Sequence, residues 1–255
     1  MTVRWVLSHE SRDIIQRFLR SQVLLAFDFD GTLAPIVEDP DRARMRAGTR
    51  RLLGQLAAAH PCIVVSGRSR EDLRGKLVGT GIRRIIGNHG AEPWDGADSV
   101  RRQVAIWRES LAHDLSALPG VRIENKIVSV TVHYRQCRWK TRARSEILKT
   151  VRRLPGVRLI GGKQALNLVP KNAPNKGTAL QEELARMGYT RAVYVGDDET
   201  DEDVFSLTQG VHLFTIRVGR RLSSQAGYFL RGQEEIDELL RILIAPGGGT
   251  FAGRT

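Results

Sequence analysis

The sequence predicts an α/β fold, a parallel-sheet core with an inserted α+β module. Three observations carry this. Short apolar runs alternate with helical periodicities toward both ends of the chain, the arrangement of βαβ units. Each of those runs stops in polar or acidic residues, where open parallel sheets keep their chemistry. Between Asp95 and about Pro170 the alternation gives way to an αββαββ pattern.

In chain order, residues 10–20 place Ile14, Ile15, Phe18 and Leu19 on one helical side. Val23–Phe29 is apolar and reads as a buried strand ending in Asp28, Asp30, Gly31 and Thr32. A helix over 49–59 precedes the run Cys62–Val65, which ends in Ser66-Gly67-Arg68. A helix over 71–77 leads to a short strand, 84–86, ending in Gly87-Asn88-His89-Gly90. Nearer the C-terminus, Ala192–Val195 is a strand ending in Gly196-Asp197-Asp198.

The middle has a different texture. Val100, Val104, Trp107, Leu111, Leu115 and Leu118 mark one face of a long helix. Residues 121–127 and 129–135 read as paired strands, and in the second Val130, Val132 and Tyr134 alternate with Thr131, His133 and Arg135. A second helix over 139–154 turns Ala143, Ile147, Val151 and Leu154 inward, and strands near 158–160 and 165–169 follow. The expected organisation is therefore a core of residues 1–95 and 171–255 with an inserted domain of 96–170. Two facing sheets would leave a crevice between them. The glycine-rich tail, Pro246–Thr255, reads as disordered.

Composition excludes several classes. Hydrophobic content of 41% and charged content of 27% are those of an ordinary globular protein. No apolar run reaches the roughly 18 residues of a membrane span. The N-terminal residues MTVRWVLSHESRD lack the apolar core of a secretory signal. Cys62 and Cys137 have no CxxC neighbour and read as reduced thiols, so a cytoplasmic location is expected. The net charge of +12 favours anionic partners, either nucleic acid or phosphorylated metabolites. Nucleic acid is not expected, because zinc-ligand spacing, a basic tail and interleaved aromatics are missing.

The strand ends carry the chemistry. Two aspartates two residues apart can share a hard cation while one attacks an electrophile. Asp28 is the expected nucleophile, forming an aspartyl phosphate, and Asp30 the acid and base that serves the leaving oxygen and then water. Magnesium takes few carboxylates together with water and phosphate oxygens. Asp28, the backbone carbonyl of Asp30 and Asp197 would supply that set, with Asp198 and Asp201 supporting it. Acidic residues over 200–203 would also cap a helix. Ser66 can donate to a phosphoryl oxygen, and Lys176, at the start of a helix, can neutralise nucleophile and phosphate together.

In that order the motifs resemble those of the haloacid dehalogenase-like phosphohydrolases, with an insert like the C2B cap of that superfamily. More narrowly, DFDGTLAPI, SGR, GNHGAE, IENKIVSVTVHYR, NKGTAL and YVGDDETDEDVF are similar to trehalose-6-phosphate phosphatases. The resemblance spans about Leu24 to Phe205. It implies a Rossmann-like core, a magnesium ion, a phosphorylated sugar as substrate (trehalose 6-phosphate first) and functional coupling to a trehalose-6-phosphate synthase. It further implies that Arg68, Asn88 and His89 line the sugar pocket from the core, and that Lys126, His133, Arg135 and Lys163 meet the sugar from the cap.

One segment departs from the family. Where it usually reads GKxxxExRP, this chain has Gly162-Lys163-Gln164-Ala165-Leu166-Asn167-Leu168-Val169-Pro170. Asn167 replaces an acid expected to accept from sugar hydroxyls, and an amide both accepts and donates. The departure bears on which sugar is bound and not on the chemistry, and keeps other glycosyl phosphates, of the sucrose 6-phosphate or mannosyl-3-phosphoglycerate type, as alternatives; a phosphomutase is a separate and more distant one. The same GGKQ stretch is not a phosphate-binding loop, because Gly156 lies one residue too far away and Gln164 replaces the required hydroxyl.

Overall fold

The computed structural model describes residues 3–93, 98–162 and 164–245. Lys163, the expected boundary near Asp95 and the tail 246–255 lie outside the described residues. The chain divides into two compact units, Met1–Gly90 with Asn175–Thr255, and Ala91–Pro174.

The first unit holds β1 (Arg4–Trp5), α1 (His9–Phe18), β2 (Leu24–Phe27), α2 (Ala47–Ala59), β3 (Cys62–Val65), α3 (Arg70–Lys76) and β4 (Arg84–Ile86). The second holds α4 (Asp98–Asp114), β5 (Arg122–Asn125), β6 (Val130–His133), α5 (Lys140–Arg153), β7 (Val157–Gly162) and β8 (Ala165–Pro170). The chain then returns to the first unit with α6 (Lys176–Met187), β9 (Arg191–Gly196), α7 (Glu202–Phe205), β10 (His212–Val218), β11 (Tyr228–Leu230) and α8 (Ile236–Ile244).

The sheet of the first unit is parallel throughout, in the order β1-β11-β10-β9-β2-β3-β4. Strand β2 is apolar at every position because both of its faces are covered. Leu25 and Phe27 join one core cluster with Leu52, Leu53, Leu56, Leu239 and Leu240 from α2 and α8. Leu24 and Ala26 join another with Leu180 and Leu184 of α6 and with Val204 and Phe205 of α7. The chain builds outward from β2 through β3 and β4 on one side, and later through β9, β10 and β11 on the other. The strand order therefore reverses beside β2, and a sheet of this kind opens its binding crevice at that switch point.

The inserted unit has an antiparallel sheet in the order β5-β6-β8-β7. Val130 and Val132 of β6 and Leu166 and Leu168 of β8 turn toward Val104, Trp107, Leu111, Ala143 and Ile147 of the two helices. The alternate residues, Glu124, Thr131, His133 and Asn167, occupy the other face of the sheet, as a period of two requires. The long helix is shorter than its apolar spacing predicts. It ends at Asp114, and Leu115 and Leu118 pack into the same cluster from a following turn. Strands β1, β10 and β11 and helix α8 complete the core beyond the elements expected from sequence.

Candidate active site

Asp28 follows β2 directly, and its N–H donates to the Val195 carbonyl at 2.8 Å, tying the loop to the neighbouring strand β9. Its side chain is buried. Gly31 then reverses the chain with φ +81, a conformation L side chains rarely adopt. A methyl group there would lie 2.1 Å from Asp197 Oδ2, so this glycine lets the two acidic strand ends approach. Thr32 Oγ1 reaches Asp197 Oδ1 at 3.4 Å from the same loop.

Lys176 begins α6. The preceding Asn175 forms a reciprocal cap with Thr178: Thr178 N–H donates to Asn175 Oδ1 at 2.8 Å, and Asn175 N–H to Thr178 Oγ1 at 2.9 Å. That cap fixes the first turn, and the Lys176 ammonium is buried between Asp28 Oδ1 at 3.1 Å and Asp201 Oδ1 at 2.8 Å. Asp201 also accepts from Tyr194 Oη at 2.6 Å and from the Asp198 N–H at 2.8 Å, so it organises the centre from beneath. Asp198 itself caps the following turn, accepting from Glu199 N–H at 2.6 Å.

Carboxylate oxygens of Asp28, Asp197 and Asp201 lie within 4.8 Å of one another. Burial is the main force raising the Asp28 carboxyl well above its usual range; Lys176 opposes it, and Asp201, Asp197 and Asp30 add to it. For Lys176, burial works against the charge, but Asp201 and Asp28 outweigh it and hold the ammonium above its ordinary value. Burial, with Asp201 and Asp28 adding, likewise raises the Tyr194 phenol well above its range and keeps it a donor. One ammonium thus sits among three carboxylates. A divalent cation matches the residual negative charge, and hard oxygen donors are the set magnesium takes.

The expected acid–base residue is held firmly. Arg68 Nε donates to Asp30 Oδ2 at 2.6 Å and Nη2 to Oδ1 at 2.7 Å. Its remaining contacts are Nη1 to Asp72 Oδ2 and Nη2 to the Pro40 carbonyl, both at 2.6 Å. Four of the five guanidinium N–H groups are committed in this way. Burial opposes the charge here too, and the bonds to Asp30 and Asp72 outweigh it. The family resemblance places Arg68 against the sugar; in the structure its guanidinium holds Asp30 and Asp72.

Ser66, at the end of β3, is buried, and its Oγ accepts from the Arg68 N–H at 3.4 Å. Asn88 and His89 are buried with consecutive positive φ values of 47° and 57°. Their N–H groups donate to the Arg68 and Ser66 carbonyls at 2.8 and 3.0 Å, which holds this uncommon backbone next to the Ser66 loop. Gly67 faces the His89 ring so closely that a methyl group would come within 2.4 Å of it.

In the inserted unit His133 Nε2 pairs with Glu124 Oε2 at 2.7 Å, and this bond, against the opposing effect of burial, lowers the Glu124 carboxyl. Thr131 Oγ1 donates to Asn167 Oδ1 at 2.6 Å across the β6–β8 register, directing the amide nitrogen away from it. Lys126 lies in the β5–β6 turn beside Ile127, whose φ is +71, and Arg135 follows β6 half-buried. The structure thus brings together Asp28, Asp197, Asp201 and Lys176, and pairs Asp30 with Arg68. Within the first unit Thr32, Tyr194 and Arg217, and within the inserted unit Thr131, make further polar contacts that the sequence does not foreshadow. In the sequence Tyr194 and Thr131 read only as members of strands, and Thr32 only as the residue behind Gly31.

A family model described as trehalose-phosphatase matches residues 26–233. Probable trehalose-phosphate phosphatase 4 of Oryza sativa subsp. japonica is 28% identical over 94% of this chain and 72% of its own length. The trehalose-phosphate phosphatase of Mycolicibacterium paratuberculosis is 36% identical over 72% of this chain and 51% of its own. Among solved structures, a trehalose-6-phosphate phosphatase related protein aligns with TM-score 0.69 at 27% identity, covering 87% of this chain and 96% of that one. The C-terminal domain of the C. albicans trehalose-6-phosphate phosphatase shares the fold, with TM-score 0.76 at 23% identity over 95% of this chain and 98% of that one.

Proposed function

The chain belongs to the trehalose-phosphatase family and is a phosphatase, and from that premise we propose that it hydrolyses trehalose 6-phosphate with magnesium, through an aspartyl phosphate on Asp28. The observation that carries this reading is the buried Lys176 bridge between Asp28 and Asp201, with Asp197 beside them.

Asp28, the Asp30 carbonyl and Asp197 would hold the cation, which when bound offsets the charge of the phosphoryl oxygens. Asp28 forms a bond to phosphorus as the bond to the sugar oxygen breaks, and Asp30 gives its proton to that oxygen. Asp30 then takes a proton from water as the water oxygen attacks phosphorus and the Asp28–phosphorus bond breaks. Phosphate leaves, and both aspartates are restored. Since Arg68 engages both oxygens of Asp30, each proton transfer exchanges one of those hydrogen bonds. Ser66 and Lys176 hold the phosphoryl oxygens, Lys176 as the fixed positive charge. For the sugar we assign, on the family resemblance, Arg68, Asn88, His89, Lys126, His133, Arg135, Lys163 and Asn167.

Phosphate release from trehalose 6-phosphate, compared with sucrose 6-phosphate, glucose 6-phosphate and a mannosylglycerate phosphate, tests the substrate. A clear preference for the first is expected; equal rates overturn the assignment. Asp28→Asn should abolish turnover of every substrate in a chain that remains folded by circular dichroism, and retained turnover would remove Asp28 as nucleophile. A coupled assay with a trehalose-6-phosphate synthase then tests whether the two activities run in sequence.

A further inference from the structure

We propose that Arg217 is a positioning residue for the cation, setting the direction of Asp197 by gripping the backbone that follows β9. The inference rests on the reading of Asp28 and Asp197 as magnesium ligands and extends it to a residue on a different strand.

Arg217 is buried in β10, opposite Gly196 in the last residue pair of the β9–β10 ladder. That pair closes the β9–β10 ladder, and the carbonyls of Asp197 and Asp198 lie just past it. A backbone carbonyl at a strand end is satisfied by a protein donor or by water. Arg217 serves both carbonyls: Nη2 donates to the Asp197 carbonyl, and Nη1 to the Asp198 carbonyl at 3.1 Å. Nη1 also donates to Glu202 Oε1 at 2.9 Å, while Glu202 Oε2 accepts from Gln225 N–H at 2.9 Å. The guanidinium is therefore itself held by an anchored carboxylate.

The two gripped carbonyls define the peptide planes on the C-terminal side of Asp197 and of Asp198. With the β9–β10 ladder holding Gly196 on the N-terminal side, fixing the first of these planes sets the Cα–Cβ direction of Asp197. From the other side its carboxylate meets Gly31 and the Thr32 hydroxyl. Asp197 is thus located twice, by the loop after β2 and by β10. Arg217 grips the Asp197 backbone through its carbonyl, so this hold does not itself use a carboxylate oxygen. Lysine would carry the same charge but offers no planar fork to hold two carbonyls and a carboxylate together. A purely architectural role would lower the melting temperature and leave cation affinity alone; a positioning role changes the affinity.

The experiment is isothermal titration of the full-length protein with Mg2+, alongside the Mg2+-induced shift in melting temperature. Arg217→Lys should weaken Mg2+ affinity about tenfold, the scale found when groups that orient metal ligands are removed. Glu202→Gln, which keeps shape but loosens the anchor, should weaken it in the same direction by less. Arg221→Ala, an exposed neighbour paired with Glu199, should leave it unchanged. Arg217→Lys with wild-type Mg2+ affinity overturns the proposal, however far its melting temperature falls. If Arg217→Lys does not fold, Glu202→Gln decides: weaker affinity upholds the proposal and equal affinity overturns it. Wild-type protein that binds no Mg2+ would overturn both this and the magnesium reading, which separates the two failures.

Discussion

Gly31 shows how much a single position can decide. A methyl group there would strike the Asp197 carboxylate, and φ +81 adds a backbone cost of about 1–2 kcal/mol for an L residue. Gly31→Ala should therefore lower stability by at least that amount and displace Asp197, giving a fall in kcat larger than thermal destabilisation alone explains. Steady-state rates measured well below the melting temperature of the variant check this; unchanged kcat would refute it. Gly196 is placed in the same way, since a methyl group there would lie 2.3 Å from the Asp201 carboxylate carbon. The glycines in DGT and GDD are therefore clearances between acidic strand ends. Cys62 offers a simpler residue-scale reading: burial pushes its thiol up to about 12, which fits an unreactive free cysteine.

At the scale of elements, α6 exists in its present register because Asn175 and Thr178 close its first turn. Asn175→Ala should destabilise the protein by about 1 kcal/mol, read as a lower denaturation midpoint. It should also slow phosphate release, since Lys176 is the first residue of that helix. The helix pair α4 and α5 is joined near Asp114, which accepts from Thr150 Oγ1 at 2.7 Å and from Arg153 Nη2 at 2.5 Å. The Thr150 bond chiefly lowers the Asp114 carboxyl, with Arg153 assisting against burial. A carboxyl lowered by folding contributes stability above its unfolded value that is lost as pH falls through its folded one. The melting-temperature gap between wild type and Asp114→Asn should be full at neutral pH and close below about pH 4. A gap independent of pH would show that the contribution is not ionic; the site is partly exposed, so the gap should be small.

Across the whole molecule the positive charge is unevenly distributed. Residues 91–174 carry 16 Lys and Arg against 7 Asp and Glu, so most of the net +12 belongs to the inserted unit. A basic field of this kind draws in anionic substrates and is screened by salt. With trehalose 6-phosphate as substrate, kcat/KM should fall as ionic strength rises from 0.05 to ~0.5 M, mainly through KM. Insensitivity to salt would refute a steering role. Among the described residues no helix is long and apolar enough to cross a membrane.

The sequence determined the elements whose local chemistry is self-sufficient. The apolar run of β2 is legible because both faces of a central strand are buried, and αββαββ is legible because periods of 3.6 and 2 survive in its spacing. Asp28, Lys176, Asp197 and Asp201 are legible because each stands at a strand end or helix start. Helix α8 carries its own amphipathic period, whereas β1 and β11, at two and three residues, are defined only by their partners. Tertiary structure alone decided that Arg68 clamps Asp30, that Tyr194 donates beneath the site, and that Arg217 holds the carbonyls of a neighbouring strand end. The roles of Arg68 and Arg217 arise from parallel pairing between strands distant in sequence, and that of Tyr194 from the chain turning back after β9. Residue type and spacing along one chain specify which groups can react, while the ladder between chain segments specifies which groups hold them in place.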